Sequence, residues 1–252
     1  MYKRIIVKIG TTVLSKNDGS LDKEVLESIV LQVSALKKSG VEIVLVTSGA
    51  VGTGKGLLTP RELLPEVVQK QVFAAVGQVK LMQTYAGLFS TEGYVCAQVL
   101  VTKEDFRDQE HFSNMKNCLE GLIHEHIVPV INENDVVATT ELMFTDNDEL
   151  AGLVAEQLHA DALIILSSVE GVLAKDSGAV IPEIDFSHVE EFEKHVTPNT
   201  STGGRGGMVS KYAVAKTAVQ SGIAVHIASG KKRDVLSAIL AGEAVGTTFI
   251  PA

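Results

Sequence analysis

The chain has 252 residues, 45% of them hydrophobic and 21% charged, the composition of a folded globular protein rather than a disordered or fibrous one. Lys and Arg number 22 against 31 Asp and Glu, a formal net charge of −9. That balance argues against a general nucleic-acid or anionic-membrane binder and leaves room for a local phosphate site.

Residues 3–9 form the first short apolar run. Helical period follows over 22–38, where Val25, Leu26, Ile29, Val33 and Leu36 share one face and Ser39-Gly40 supplies a stop. A second run at 41–47 completes a β-α-β unit. Further strands are expected at 94–101, 127–131, 162–166 and 224–228, and further helices at 66–91, 104–125, 147–159 and 208–221. Most of the strand runs are continuously apolar, as strands buried on both faces of a parallel sheet are. The expectation is an α/β chain with helices on both faces of a mainly parallel sheet, forming one domain over 1–252. The Thr/Ser/Gly/Asn-rich stretch 197–207 reads as a mobile loop.

The apolar start is cut at once by Lys8 and is too short for a signal peptide. No stretch approaches the ~20 apolar residues of a membrane helix, so a cytoplasmic location is expected. Cys96 and Cys118 lack metal-ligand spacing and sit among apolar neighbours, which makes them candidates for reduced core residues.

Ligands of open parallel sheets bind beyond the carboxyl ends of the strands, so the loops there should carry the chemistry. Lys8-Ile9-Gly10-Thr11-Thr12 puts a cation and several backbone N–H groups at a strand end, an arrangement that suits an anion. A lysine snorkelling from an edge strand explains the same residues. After the second strand, the segment from Gly49 to Lys55 nearly spells the phosphate loop G-x-x-x-x-G-K-[ST]. Gly56 stands where a hydroxyl belongs, and Leu57-Leu58-Thr59-Pro60 opens no helix, so a phosphate loop is not expected. The small residues Ser48-Gly49-Ala50 still admit a ligand close to the backbone.

Asn132-Glu133-Asn134-Asp135 and, eleven residues beyond, Asp146-Asn147-Asp148 are polar clusters suited to an ammonium group or to holding catalytic cations. Thr145-x-x-Asp148 equally reads as a capping box. Glycines 203, 204, 206 and 207 surround Arg205 ahead of a helix bearing Lys211 one turn in. A lysine there opposes the helix dipole unless an anion joins it; a solvated lysine after a flexible loop is the alternative. The seven histidines form no triad or metal set. Neither G-x-S-x-G nor a first-turn G-x-G-x-x-G is present, which disfavours hydrolase and Rossmann dehydrogenase readings.

Taken in order, Lys8-Ile9-Gly10-Thr11, Val46-Thr47-Ser48-Gly49-Ala50, Val130-Ile131-Asn132-Glu133-Asn134-Asp135, Asp146-Asn147-Asp148 and Gly206-Gly207-Met208-x-x-Lys211 resemble the amino-acid kinase family, and within it the glutamate 5-kinases. The resemblance covers essentially the whole chain. It implies a three-layer α/β/α sandwich around a mainly parallel sheet, with the amino acid in the N-terminal part and ATP in the C-terminal part. By the same resemblance Lys8 and Lys211 neutralise the transferring phosphoryl group and Asp148 positions both lysines. Ser48, Gly49, Ala50, Asp135 and Asn147 would bind glutamate, while Lys8, Gly10, Ser167, Ser168, Arg205, Gly206, Gly207, Met208 and Lys211 would line the nucleotide.

The implied reaction is ATP-dependent phosphorylation of the L-glutamate γ-carboxylate to L-glutamyl 5-phosphate, the first step towards proline, with Mg²⁺ bridging the phosphates. Proline as feedback inhibitor and a homo-oligomeric assembly are implied too, with no nucleic-acid or membrane partner. Ser168 and Arg205 depart from the acidic residue and the Thr usual in the family, and no C-terminal PUA domain is expected. Two rivals remain open: a kinase for another small acid or a nucleoside monophosphate, and a nucleotide-binding regulatory protein without turnover. The amide and acidic residues at 132–135 with Asn147 suit an ammonium better than a base, and both lysines with Asp148 argue for turnover.

Overall fold

The computed structural model describes residues 2–16, 18–138, 144, 146–185 and 207–251. In chain order these give β1 (Arg4–Ile9), α1 (Thr11–Leu14), α2 (Lys23–Lys38), β2 (Glu42–Val46), α3 (Ala50–Leu57), α4 (Glu66–Thr91), β3 (Cys96–Val101), a 3-10 turn (Lys103–Phe106), α5 (Gln109–His124), β4 (Val128–Glu133) and α6 (Asn147–Gln157). Then come β5 (Ala162–Ser167), β6 (Glu183–Asp185), α7 (Met208–Gln220), β7 (Ala224–Ser229), α8 (Val235–Leu240) and β8 (Thr247–Ile250). The strands make one eight-stranded sheet in the order β3-β4-β2-β1-β5-β7-β8-β6. All ladders from β3 to β7 are parallel, β8 runs antiparallel to β7, and β6 pairs parallel with β8.

The interior strands are apolar on both faces because both faces are covered, and the period of two assigns each side chain to a layer. Ile6, Val44, Val46, Ile131, Leu163 and Ile165 pack with buried residues of α5, α6 and α7. Ile5, Val7, Ile9, Ile43, Leu45 and Ile164 pack on the opposite side with α1, α2, α4 and α8. The result is a three-layer α/β/α sandwich. Strands accumulate first on one side of β1 (β2, β4, β3) and then on the other (β5, β7), so the chain reverses direction at β1 and a crevice opens at its carboxyl end. Lys8 lies there with the parity of Ile6, facing the α6 and α7 layer. It is 6% exposed on a central strand, which removes the edge-strand reading of this lysine.

Several local expectations change. Residues 50–57, read as a loop of small residues, form α3. Gly49 at φ +99° turns the chain from β2 straight into that helix, a conformation that favours glycine. The helix expected over 104–125 is split, because Thr102 with Asp105 closes a capping box on the 3-10 turn and Asp108 caps α5 anew. The cap of α6 is Asp146 rather than Thr145: its carboxylate accepts the N–H groups of Asp148 and Glu149. Cys118 is exposed, whereas Cys96 is half-buried and packs against the apolar layer of α2 and α4, so only Cys118 departs from the core reading. Most of the expected loop at 197–207, with Arg205 and Gly206, lies outside the described residues.

The tightest packing in the fold joins α3 to α4. A Cβ on Gly54 would lie 1.9 Å from the Phe73 carbonyl oxygen, and one on Gly77 would lie 1.8 Å from the Ala50 carbonyl oxygen. The two helix backbones therefore touch, and no side chain fits between them. Gly87, on the same helix, faces open space. Gly77→Ala is expected to cost about 1–3 kcal/mol by overpacking, lowering Tm by roughly 2–4 °C per kcal/mol at this chain size. Gly87→Ala is expected to raise stability by up to about 1 kcal/mol through helix propensity. Thermal unfolding of the two variants side by side checks both signs.

Candidate active site

Three side chains from three elements meet at the carboxyl end of β1. Lys8 Nζ lies 2.6 Å from Asp148 Oδ1, and Lys211 Nζ lies 2.9 Å from Asp148 Oδ2. The side chains are 7%, 9% and 1% exposed for Lys8, Lys211 and Asp148. Local sequence explains each placement. Lys8 is carried by the central strand. Asp148 sits in the first turn of α6, where the helix dipole favours a carboxylate. Lys211 follows the Gly207 cap of α7, and α7 is tied to α6 by Ser210 Oγ donating to Asp146 Oδ2 at 2.5 Å. Burial pushes the Asp148 carboxyl up, but Lys8 and Lys211 together outweigh it and hold the group below the usual carboxylate range. Two cations on one carboxylate leave a surplus positive charge, and each ammonium has further N–H donors to offer.

Beside this trio runs a chain of amides. Asn147 Nδ2 donates to the Thr47 carbonyl at 2.5 Å, to Ser48 Oγ at 3.0 Å and to Asn132 Oδ1 at 2.9 Å. Asn132 Nδ2 donates to Gln78 Oε1 at 3.0 Å, and Gln78 Nε2 to Gln98 Oε1 at 2.9 Å. The first turn of α6 is thereby fixed to the ends of β2 and β4 and to α4. Thr47 Oγ1, behind it, is 2.8 Å from the buried Tyr85 hydroxyl of α4. Further along the wall, Lys70 Nζ of α4 lies 2.6 Å from Asp135 Oδ1, and Gln71 Nε2 donates to the Val136 carbonyl at 2.8 Å.

A cavity of about 710 Å³ collects these groups. Of the residues proposed from sequence, Lys8, Gly10, Ser48, Gly49, Ala50, Asp135, Asn147, Ser167, Ser168, Gly207 and Lys211 all line it. Asp148 lies behind the two lysines. Met208 departs from the expectation: its side chain packs against the apolar layer beneath α7. The lysine of the failed phosphate-loop pattern, Lys55, is on α3 with its ammonium 6.0 Å over the Phe73 ring. His226 is buried between the Tyr2 hydroxyl and Thr248 Oγ1. Burial pushes its imidazole down to about 4, so it is a neutral structural residue at ordinary pH. Sequence reasoning missed Lys70, Gln78 and Gln98. The available signal was the spacing of Lys70, Ala74 and Gln78, which places two polar groups on the inward face of a largely apolar helix.

Among the described residues no group of three His, Cys, Asp or Glu side chains could hold a metal ion. The acids nearest the trio are already engaged, Asp148 by lysines and Asp146 by backbone N–H groups and Ser210.

The chain as a whole is similar to known proteins. Residues 3–229 match the model of the amino acid kinase family. A glutamate 5-kinase of Chlorobaculum tepidum is 47% identical over 252 residues, covering 99% of this chain and 70% of that protein. One of Symbiobacterium thermophilum is 41% identical over 250 residues, covering 98% of this chain and 95% of that protein. The crystal structure of a UMP kinase from Bacillus anthracis superposes with a TM-score of 0.64 at 15% identity, covering 99% of this chain and 96% of that one; at that identity the likeness speaks for the fold. With nearly all of the sheet and both lysine-bearing elements inside the matched span, the chain belongs to the amino acid kinase family.

Proposed function

We propose that the chain transfers the γ-phosphoryl group of ATP to the γ-carboxylate of L-glutamate, giving L-glutamyl 5-phosphate and ADP in the first step towards proline. The observation that carries this reading is the buried Lys8–Asp148–Lys211 trio, whose two ammonium groups open onto the cavity that Asp135, Asn147 and Ser48 also line. The relatives named glutamate 5-kinase support the choice of acceptor.

A carboxylate is ionised at neutral pH and needs no general base, so the protein's task is positioning and charge neutralisation. A γ-carboxylate oxygen attacks the γ-phosphorus in line, the bond to the β,γ-bridging oxygen breaks, and ADP leaves. Lys8 and Lys211 meet the charge on the transferring group and the leaving oxygen. Asp148 keeps the two cations apart at a fixed spacing and carries no proton. Ser48, Gly49 and Ala50 receive the amino acid's carboxylate through backbone and hydroxyl donors. Asp135 takes its ammonium, and Asn147 orients the acceptor. The nucleotide lies along Gly10, Ser167, Ser168 and Gly207 on the other side of the trio. Mg²⁺ would supply additional charge neutralisation beside Lys8 and Lys211, and among the described residues no group of three carboxylate, His or Cys side chains would hold it.

Glutamate, ATP and Mg²⁺ together are expected to give an acyl phosphate that hydroxylamine converts to a hydroxamate. ADP release with UMP or N-acetylglutamate and none with glutamate would refute the acceptor. Lys8→Ala and Lys211→Ala are each expected to lower kcat by roughly 10²-fold or more, since they remove charge stabilisation felt most in the transition state. Asp135→Ala and Asn147→Ala act mainly on the glutamate KM. Near-normal turnover in the lysine variants would place the transfer site elsewhere. Proline presents an α-carboxylate and a ring nitrogen like the α-substituents of glutamate and is expected to compete for Ser48, Asp135 and Asn147. In a binding titration each ligand then raises the apparent Kd of the other without reaching a plateau; a plateau identifies a separate site.

A further inference from the structure

Lys70 is the one cation on the cavity wall, among the described residues, that pairs with a carboxylate outside the Asp148 trio. Its partner is Asp135, the acid to which the proposed reaction assigns the substrate's ammonium. The pair is close, Nζ to Oδ1 at 2.6 Å, with Asp135 13% and Lys70 30% exposed. The loop bearing Asp135 is gripped by the same helix one residue on, where Gln71 Nε2 donates to the Val136 carbonyl at 2.8 Å. In the substrate-free protein a built-in ammonium thus occupies the place that an amino acid's ammonium would take.

We infer that Lys70 is a further specificity-determining residue for the amino-acid substrate, a placeholder that yields Asp135 to the incoming ammonium and moves onto the substrate's α-carboxylate. The inference rests on the reading of this cavity as an amino-acid site. Charge balance drives the exchange. Glutamate brings one ammonium and two carboxylates, and its γ-carboxylate is committed to the phosphoryl group beside Lys8 and Lys211. When the ammonium displaces Lys70 from Asp135, a partly buried cation loses its partner while an α-carboxylate, met otherwise only by the neutral donors of Ser48, Gly49 and Ala50, arrives in the same cavity. A partly buried charge without a partner is costly. With Asp135 on the ammonium and Lys70 turned to that carboxylate, all four charges have an opposite partner, and the long unbranched stem of Lys70 allows the swing without movement of α4.

One ligand feature each way separates this exchange from a purely structural role. Glutarate is glutamate without the ammonium, and 4-aminobutyrate is glutamate without the α-carboxylate. Lys70→Gln keeps helix propensity and length while removing the cation. It is expected to raise the glutamate KM by about tenfold or more, the scale of one lost charge-assisted hydrogen bond, with the effect on KM exceeding that on kcat. The Ki of glutarate as an inhibitor should rise in parallel. The Ki of 4-aminobutyrate should stay level or fall, because this ligand no longer competes with Lys70 for Asp135 and has no α-carboxylate to lose. Lys70→Arg should recover most of the glutamate KM, and thermal unfolding of both variants shows that the fold is retained. Equal weakening of glutarate and 4-aminobutyrate, or a glutamate KM unchanged in Lys70→Gln, overturns the exchange while leaving the proposed reaction standing. Failure of the unsubstituted chain to turn over glutamate overturns the reading of the site, and this inference with it.

Discussion

The arrangement of the centre depends on one carboxylate holding two ammonium groups together inside the protein. Like charges about 4 Å apart repel by roughly 4 kcal/mol at the effective dielectric of a protein, and burial adds a desolvation cost to each. Lys8 and Lys211 can converge only because Asp148 offers a separate oxygen to each. Such a triad is poor evidence for stability, since apolar side chains of similar size would fill the space at lower cost. Its retention makes sense as preorganised positive charge aimed at a cavity, available before any ligand arrives.

Three structural decisions serve that convergence. The parity of β1 turns Lys8 towards the α6 and α7 layer. The Asp146 cap starts α6 one residue before Asn147, so that Asp148 falls in the first turn, where its charge favours the dipole. Lys211 stands against the dipole of α7, a placement that Asp148 offsets. Asp146 serves both helices, capping α6 with one oxygen and receiving Ser210 of α7 with the other. The side chain that caps α6 therefore also ties α7 to it.

Much of this was legible in the sequence. Continuous apolar runs marked the interior strands, since a strand covered on both faces has no reason to alternate, and the polar clusters at strand ends marked the site. What escaped shares a cause: its meaning depends on a neighbour remote in sequence. Within residues 50–57, Gly54 is required by the α4 backbone pressed against it, a neighbour remote in sequence that composition alone does not reveal. Thr145 and Asp146 are equally good caps on paper, and the structure gives the cap to Asp146, which Ser210 of α7 also meets. Cys118 stands beside Leu119 but also among Lys116, Asn117 and Glu120, and its position on α5 turns it outward. Gln78 and Gln98 look like ordinary amides until the fold sets them end to end. The roles proposed for Lys8, Lys211 and Asp148 rest on the ordered motif set, because each fragment alone has a bland explanation.

Helix α4 unites what the strands leave separate. Through Gly77 it fixes the start of α3 and so the backbone at Ala50; through Gln78 it holds Asn132 and, beyond it, Asn147; through Lys70 and Gln71 it grips the segment at Asp135 and Val136. One rigid body thus reaches Ala50 and Asp135 directly and Asn147 through Asn132, while the Lys8–Asp148–Lys211 trio is carried by β1, α6 and α7. The two halves of the site consequently have separate foundations. The trio is sealed, its side chains under a tenth exposed, whereas Lys70 is 30% exposed at the rim. A change at Lys70 therefore reaches the Asp135 side of the cavity without touching the trio, whereas one at Gln78 reaches the first turn of α6 through Asn132 and Asn147. Asn147 precedes Asp148 on that same first turn, and any shift of it moves both halves together.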